Sequence, residues 1–420
     1  MKISNRTDNL FPDKYSRREF LQSVGGSFVY WSALSPMFAS ISLARGILPG
    51  IDGERPRVLA DLHVHPTLNK WIESSAIGVN APLLAKLARN MLNPTTVDWK
   101  LCHETGIDLM CAAHFNPFDE FAGMETDPTA DAPRNTLRML DQLEYELRTD
   151  AGSYAKLVRS GAELKEVLRY RPGHRDYRIA VLHCLEGGHA LGGNLDSLNT
   201  FAKRHVAMIT VTHFFTKGIA SSANSIPFFP DAFTNPPKQG LSEFGKNVIT
   251  QMEELGIIVD VAHGTSTTIN DILKIARKPL IASHVSARTL GDHPYSLDDE
   301  HIQEIARKGG IIGVILMPYW LSNYANFHLS VEQGTLRDVV RTIRYIYKIC
   351  GTHTCIGIGS DFSGYIHGPA EMTDLSQIGV LKSMLLEEFD DDVDLVEDIM
   401  ANNVINFFGK NWQPGESFSK

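Results

Sequence analysis

The hydrophobic residues of this chain gather into short uninterrupted runs, separated by stretches in which apolar residues recur three and four apart. Runs of Ile, Val, Leu and Ala without polar alternation suit parallel strands buried on both faces, and the intervening spacing suits amphipathic helices. Strands are therefore expected at Val58–Asp61, Ile107–Ala113, Arg178–Cys184, Val206–Thr212, Ile257–Ala262, Leu280–Ser283, Ile311–Met317 and Cys355–Gly359. The stretch Gly256–Arg288 is the most legible. Two apolar runs stop on His263 and His284, and the helix between them reads as opened by a Thr268/Asp271 capping box and ended at Lys278-Pro279. Other helices are expected at Ala81–Leu92, Asn135–Leu147, Leu157–Tyr170, Leu297–Lys308 and Leu395–Phe408, with one more capped by Ser242 and ended by Gly256. Phe118–Arg134 reads as a long loop covering the mouth. Strands that alternate with helices, and almost all end at or beside His, Glu or Asp, predict an α/β protein. The architecture is a (β/α)8 TIM barrel with a polar, metal-binding C-terminal mouth.

The first 45 residues break the pattern. Ser16-Arg17-Arg18-Glu19-Phe20-Leu21 precedes a weakly apolar, small-residue-rich run, Val24–Leu43, which closes on Ser42-Leu43-Ala44. This resembles a twin-arginine export signal, the alternative being an amphipathic helix with a chance Arg pair. Gly25, Gly26 and Pro36 oppose a stable spanning helix. The expected organisation is a signal over 1–45, a linker over 46–56 and a barrel over 57–415. The twin-arginine machinery is then a partner, and the mature chain is expected in the periplasm, or on the outer face of the membrane if the signal stays uncleaved.

Composition narrows the classes. A chain of 420 residues, 43% of them hydrophobic, can bury one large barrel core without a second domain. A formal charge of −9 argues against nucleic acid, whose phosphates call for a basic face. Five cysteines without a CxxC pair do not describe a disulfide framework; buried free thiols are expected, with a Cys350–Cys355 pair the alternative in an exported protein.

Several strand ends carry chemistry. In Asp61-Leu62-His63-Val64-His65 the two histidines lie two apart in extended backbone and so face one site, as metal ligands or as ordinary mouth histidines. Glu186 ends a strand and is followed by Gly187-Gly188, which suits an anionic metal bridge or a solvated turn. His213, His263, His284 and Asp361 close later strands. Met317-Pro318-Tyr319-Trp320, with Tyr324 and Phe327, places aromatics where they could wall an apolar pocket.

Leu185-Glu186-Gly187-Gly188-His189, Val211-Thr212-His213, Asp260-Val261-Ala262-His263, Ser283-His284-Val285-Ser286-Ala287-Arg288 and Gly359-Ser360-Asp361-Phe362 resemble, in order and spacing, the membrane (renal-type) dipeptidases. These are zinc peptidases among the amidohydrolase-like barrels. The resemblance implies two zinc ions, one held by His63 and His65, the second by His263 and His284, with Glu186 bridging. It makes Asp361 the proton acceptor and donor, and His213 the residue that stabilises the oxyanion. It also suggests a homodimer and a dipeptide-like substrate.

Three positions depart from the family. Its first motif ends in a carboxylate, where this chain has His65, so the site is about one unit more positive. The arginine that grips a dipeptide's terminal carboxylate falls at Tyr295, which cannot make a bidentate ion pair. Asparagines after His213 are replaced by Phe214-Phe215-Thr216-Lys217, where Lys217 either supplies the missing charge or is solvated. The expectation is thus an exported zinc-dependent amide hydrolase. A non-peptide amidohydrolase or lactonase and an inactive binding barrel are its alternatives.

Overall fold

A computed structural model describes residues 56–74, 95–122, 132–214, 218–223, 240–321, 335–364, 366 and 368–413. The signal over 1–45, nearly all of the linker, the helix expected at Ala81–Leu92, and Lys217, Tyr324 and Phe327 lie outside these residues.

Nine strands form one parallel sheet: β1 Leu59–Val64, β2 Ile107–His114, β3 Ala155–Leu157, β4 Ile179–Glu186, β5 Val206–Thr210, β6 Ile258–Asp260, β7 Ile281–Val285, β8 Ile311–Ile315 and β9 Ile356–Gly359. Neighbours run β2-β1-β9-β8-β7-β6-β5-β4, and β2 pairs with β4, which closes an eight-stranded barrel. All eight expected strands are present, most within two residues of their expected ends. The main difference is β1, which runs on to Val64 and so contains His63.

The unforeseen strand is β3. It pairs with Ile179–Val181 on the N-terminal half of one β4 edge, while β5 takes the C-terminal half from His183 onward. The apolar run at Leu157 therefore ends a strand, and the helix expected from Leu157 begins only at Gly161. Ser160 caps it by accepting from Glu163 N, a stronger start signal than hydrophobic spacing alone.

Other boundaries shifted for similar local reasons. The helix between β6 and β7 spans Ser266–Ile275, capped by Thr265 in place of Thr268, whose hydroxyl donates instead to Ser221 O at 2.7 Å. Leu297 bridges to Ala287, so the next helix starts at Asp299. The expected helix Leu395–Phe408 is three pieces: Val393–Glu397, a π turn Asp398–Asn402 and Asn403–Asn411. Phe118–Arg134 is not simply a loop, since helices cover Pro117–Ala122 and Ala132–Arg148. The helix Glu243–Leu255 has the Ser242 cap and Gly256 stop that were expected.

The strands are buried on both faces. Inward residues such as Leu62, Leu109, Leu182, Met208 and Ile281 fill the barrel, and outward ones pack under the helices. The cysteines are free thiols. No helix among the described residues is long and apolar enough to cross a membrane.

Candidate metal centre

The C-terminal ends of the strands bring five imidazoles to one carboxylate. Glu186, the last residue of β4, has Oε1 3.2 Å from His63 Nε2, 3.3 Å from His263 Nε2, 3.5 Å from His284 Nε2 and 3.6 Å from His213 Nε2. Its Oε2 is 3.5 Å from His65 Nε2. All six side chains are buried. The histidines are grouped in pairs: His63 and His65 have their Nε2 atoms 3.2 Å apart, and His263 and His284 have theirs 3.1 Å apart. Asp361, just beyond β9, completes the ring with Oδ1 3.2 Å from His65 Nε2 and 3.8 Å from His63 Nε2.

This donor set fits metal ions. Facing Nε2 atoms share at most one proton, so each pair turns unshared electron pairs toward its neighbour unless a cation lies between them. Burial pulls the pKa of His65 down, that of His263 to about 4 and that of His284 well below its usual value, which favours the neutral ligand form. Burial alone would raise Glu186, but the imidazoles of His213 and His63 outweigh it and hold the carboxylate well below its usual range. An anion flanked by two imidazole pairs matches the coordination chemistry of a two-metal centre.

Buried carboxylates lower in the barrel aim the ligands. Asp61 accepts Ser360 N at 2.9 Å, Ser360 Oγ at 2.5 Å and His63 N at 3.1 Å. Asp260 accepts Ser283 N at 2.9 Å, Ser283 Oγ at 2.6 Å, Ala262 N at 3.1 Å and Thr210 Oγ1 at 2.5 Å. Asp260 also lies within ligand range of His63 and His284, but these four donors already occupy it. Two of the ligands are also held by their second ring nitrogen: His65 Nδ1 by Ala113 O at 3.1 Å, His284 Nδ1 by Ser283 Oγ at 2.8 Å. His263 and Asp361 adopt left-handed backbone, φ 63° and 58°, a strained geometry that turns each side chain back over the mouth.

Two glycine positions are required by space. A Cβ at Gly187, where φ is 93°, would lie 2.4 Å from His189 Nδ1, and one at Gly364 would lie 2.2 Å from Asp361 Oδ1.

The structure thus brings together His63, His65, Glu186, His213, His263, His284 and Asp361. Burial raises the pKa of Asp361 well above its usual value. Tyr295 adjoins the centre, its ring 4.7 Å from that of His263 and 4.0 Å from that of Trp320, but its hydroxyl donates to His284 O. The Tyr295 side chain is buried, with its ring against His263 and Trp320, so it packs beside the ligands and does not take the place of the expected substrate-gripping arginine. Residues not singled out from the sequence also belong here: Asp61, Asp260, Ser283 and Ser360 beneath the ligands, and Glu120 beside His213. The serines had a readable signal, a hydroxyl next to a strand-end His or Asp. Glu120 had none.

Comparison with known proteins bears on the family and the fold. A model of the membrane dipeptidase family, peptidase family M19, matches residues 59–414. An uncharacterized dipeptidase of Schizosaccharomyces pombe is 29% identical over 233 residues, 56% of this chain and 53% of its own length. Dipeptidase aclJ of Aspergillus oryzae is 28% identical over 276 residues, 66% of this chain and 61% of its own. The matches thus span only about half to three-fifths of these relatives. A metallo peptidase from Rhodobacter sphaeroides, solved with a phosphinate mimic of the dipeptide L-Ala-D-Ala, shares the fold with a TM-score of 0.66 at 19% identity, over 85% of this chain and 100% of that one. With the family model covering the whole barrel, the chain belongs to the membrane dipeptidase family, peptidase family M19.

Proposed function

We propose that this chain is an exported, zinc-dependent hydrolase that cleaves the amide bond of a dipeptide or dipeptide-like compound. The observation that carries the reading is the convergence of two imidazole pairs on Glu186. His63 and His65 would hold one ion, His263 and His284 the other, and Glu186 both. Imidazole and carboxylate ligands without a thiolate suit zinc. When bound, the ions would polarise the scissile carbonyl and make water acidic enough to attack it at neutral pH.

The chain's own groups divide the remaining work. Asp361 takes the proton from the attacking water and returns it to the leaving amine; the burial that raises its pKa favours the protonated state needed for the return. Burial alone would lower the pKa of His213, but the Glu186 and Glu120 carboxylates outweigh it and raise it. This favours an imidazolium with a proton on each nitrogen, so that Nε2 can donate to the carbonyl oxygen as negative charge gathers there. The dipeptidase names of the relatives and the dipeptide mimic in the Rhodobacter enzyme support the substrate class.

A non-peptide amide or lactone is the second reading. Tyr295 favours it, because a buried ring with its hydroxyl committed to His284 O leaves no cation at that position to grip a substrate carboxylate. The Ser16–Leu21 motif supports twin-arginine export to the periplasm, and the family resemblance supports a homodimer.

The test is metal analysis of the zinc-reconstituted chain together with turnover on a panel of L,L and L,D dipeptides. About two zinc ions per chain with dipeptide cleavage is the expected result. Full zinc without cleavage moves the assignment to the second reading, and one ion or none overturns the two-metal site. Replacing Arg17 and Arg18 by lysine should hold the protein in the cytoplasm; unchanged export would remove the twin-arginine assignment.

A further inference from the structure

The short helix Pro117–Ala122, just after β2, turns a buried carboxylate toward the centre. Glu120 Oε2 lies 2.6 Å from His213 Nδ1, and its Oε1 accepts the backbone N–H of Phe214 at 2.9 Å. The neighbouring Asp119 anchors this helix, accepting Asn116 Nδ2 at 2.5 Å and Asn135 Nδ2 at 2.9 Å. Asn116 Oδ1 in turn accepts Trp71 Nε1 at 3.1 Å. The His213 ring packs against Phe115 and Phe214, at centroid distances of 4.4 and 3.7 Å.

The chemistry of the contact is selective. Glu120 meets two donors, so it needs two acceptors; a glutamine would present one acceptor and one donor, and would lose or oppose one contact. With Nδ1–H held by the carboxylate, Nε2 is the nitrogen that faces the mouth, 3.6 Å from Glu186 Oε1, and the ring cannot flip without stranding a buried carboxylate.

We propose that Glu120 is a positioning residue of this site: it holds His213 by Nδ1 so that Nε2 is aimed at the oxygen of the bond being broken, and so ties the segment after β2 to the end of β5. The inference rests on the hydrolase reading of the same centre. Its test uses the zinc-loaded full chain with Glu120→Gln, Glu120→Ala, His213→Ala and the Glu120→Gln/His213→Ala pair.

Zinc content should be unchanged in Glu120→Gln while kcat on the best dipeptide falls about 10- to 100-fold with little change in KM. The double variant should be no slower than His213→Ala alone, because Glu120 acts through that ring. A purely packing role would give additive losses, which would overturn the proposal. A second readout needs no substrate: a downfield imidazole N–H proton signal in the wild type, absent from both Glu120→Ala and His213→Ala. Persistence of that signal in Glu120→Ala would also overturn it. If the wild type cleaves no dipeptide, the hydrolase reading fails on its own, and the proton signal still decides whether the pair exists.

Discussion

The ring of His63 lies against that of His284, with centroids 3.8 Å apart and planes tilted by 30°, and this contact joins β1 to β7 across the barrel. Glycines make it possible. A Cβ at Gly313 or at Gly359 would lie 1.9 Å from Ser283 O, so β8 and β9 can close on β7 only where those side chains are absent. The pinch brings the two halves of the metal centre within reach of one carboxylate.

Gly359→Ala should therefore push β7 outward and carry His284 with it. The expected outcome is a loss of about 3 kcal/mol in denaturant unfolding, with fewer than the full complement of zinc ions retained. Gly379→Ala is the control, since a Cβ there meets nothing within 4 Å. An equal effect at both positions would show that the pinch is unimportant.

The two serine–aspartate contacts predict a separable effect on the two metals. Ser360→Ala removes the Oγ donor to Asp61 beneath His63, and Ser283→Ala removes both the Oγ donor to Asp260 and the acceptor of the His284 Nδ1–H. Each should cost about 1–3 kcal/mol of stability. Each should also weaken one zinc by about 10- to 100-fold, which a competitive chelator titration resolves as two steps. Uniform weakening of both ions in both variants would contradict the division into halves.

Asp361→Asn tests the proton shuttle. Turnover should drop about 100-fold or more with zinc content retained. Loss of metal along with activity would make Asp361 a ligand and contradict the role assigned to it.

Metal binding should stabilise the fold, since the converging ligands are formed only in the native state. With free zinc about 100-fold above its Kd, unfolding should cost about 2.7 kcal/mol more for each bound ion than in the chelated protein. Glu186→Gln, which loses the shared anion, should abolish most of that gain. An equal gain in the variant, read by thermal melts with and without chelator, would count against Glu186 as the bridge.

His293 predicts a pH dependence away from the metal ligands. Burial, aided by Arg288, lowers its pKa from 6.5 to about 4, and its Nδ1 accepts Tyr295 N. Between those values the unfolded chain binds the proton and the folded chain does not. Its contribution is therefore complete above pH 6.5 and is lost as pH falls toward 4. His293→Asn keeps an acceptor without titrating there. Relative to it, the wild type should lose at most about 3 kcal/mol over that window; parallel pH profiles would refute the assignment.

The strand positions were legible because a barrel strand buried on both faces writes itself as an unbroken apolar run. β8 carries that signal throughout, and β4 and β5 carry it in their first four residues. The ligands were legible for a related reason. A polar residue at the end of such a run has only the mouth to enter, and a two-residue spacing in extended backbone sets His63 and His65 side by side. Helix starts were read less well, since Thr265, Thr268, Asp271 and Ser160 all look like caps until tertiary contacts choose among them.

What the sequence determined by itself was thus local: the order of strands and helices, the barrel they imply, and which side chains stand at strand ends. Only the tertiary structure decided what reaches those side chains from elsewhere. Glu120 meets His213 across 93 positions and Ser360 meets Asp61 across 299, and neither separation leaves a periodic trace. Tyr295 is the same case, since its position in the chain suggested a substrate contact and only the folded loop turned its hydroxyl to His284 O. The physical reason is that hydrophobic patterning encodes burial, which each residue meets alone, whereas a hydrogen bond between distant residues exists only after the barrel has closed.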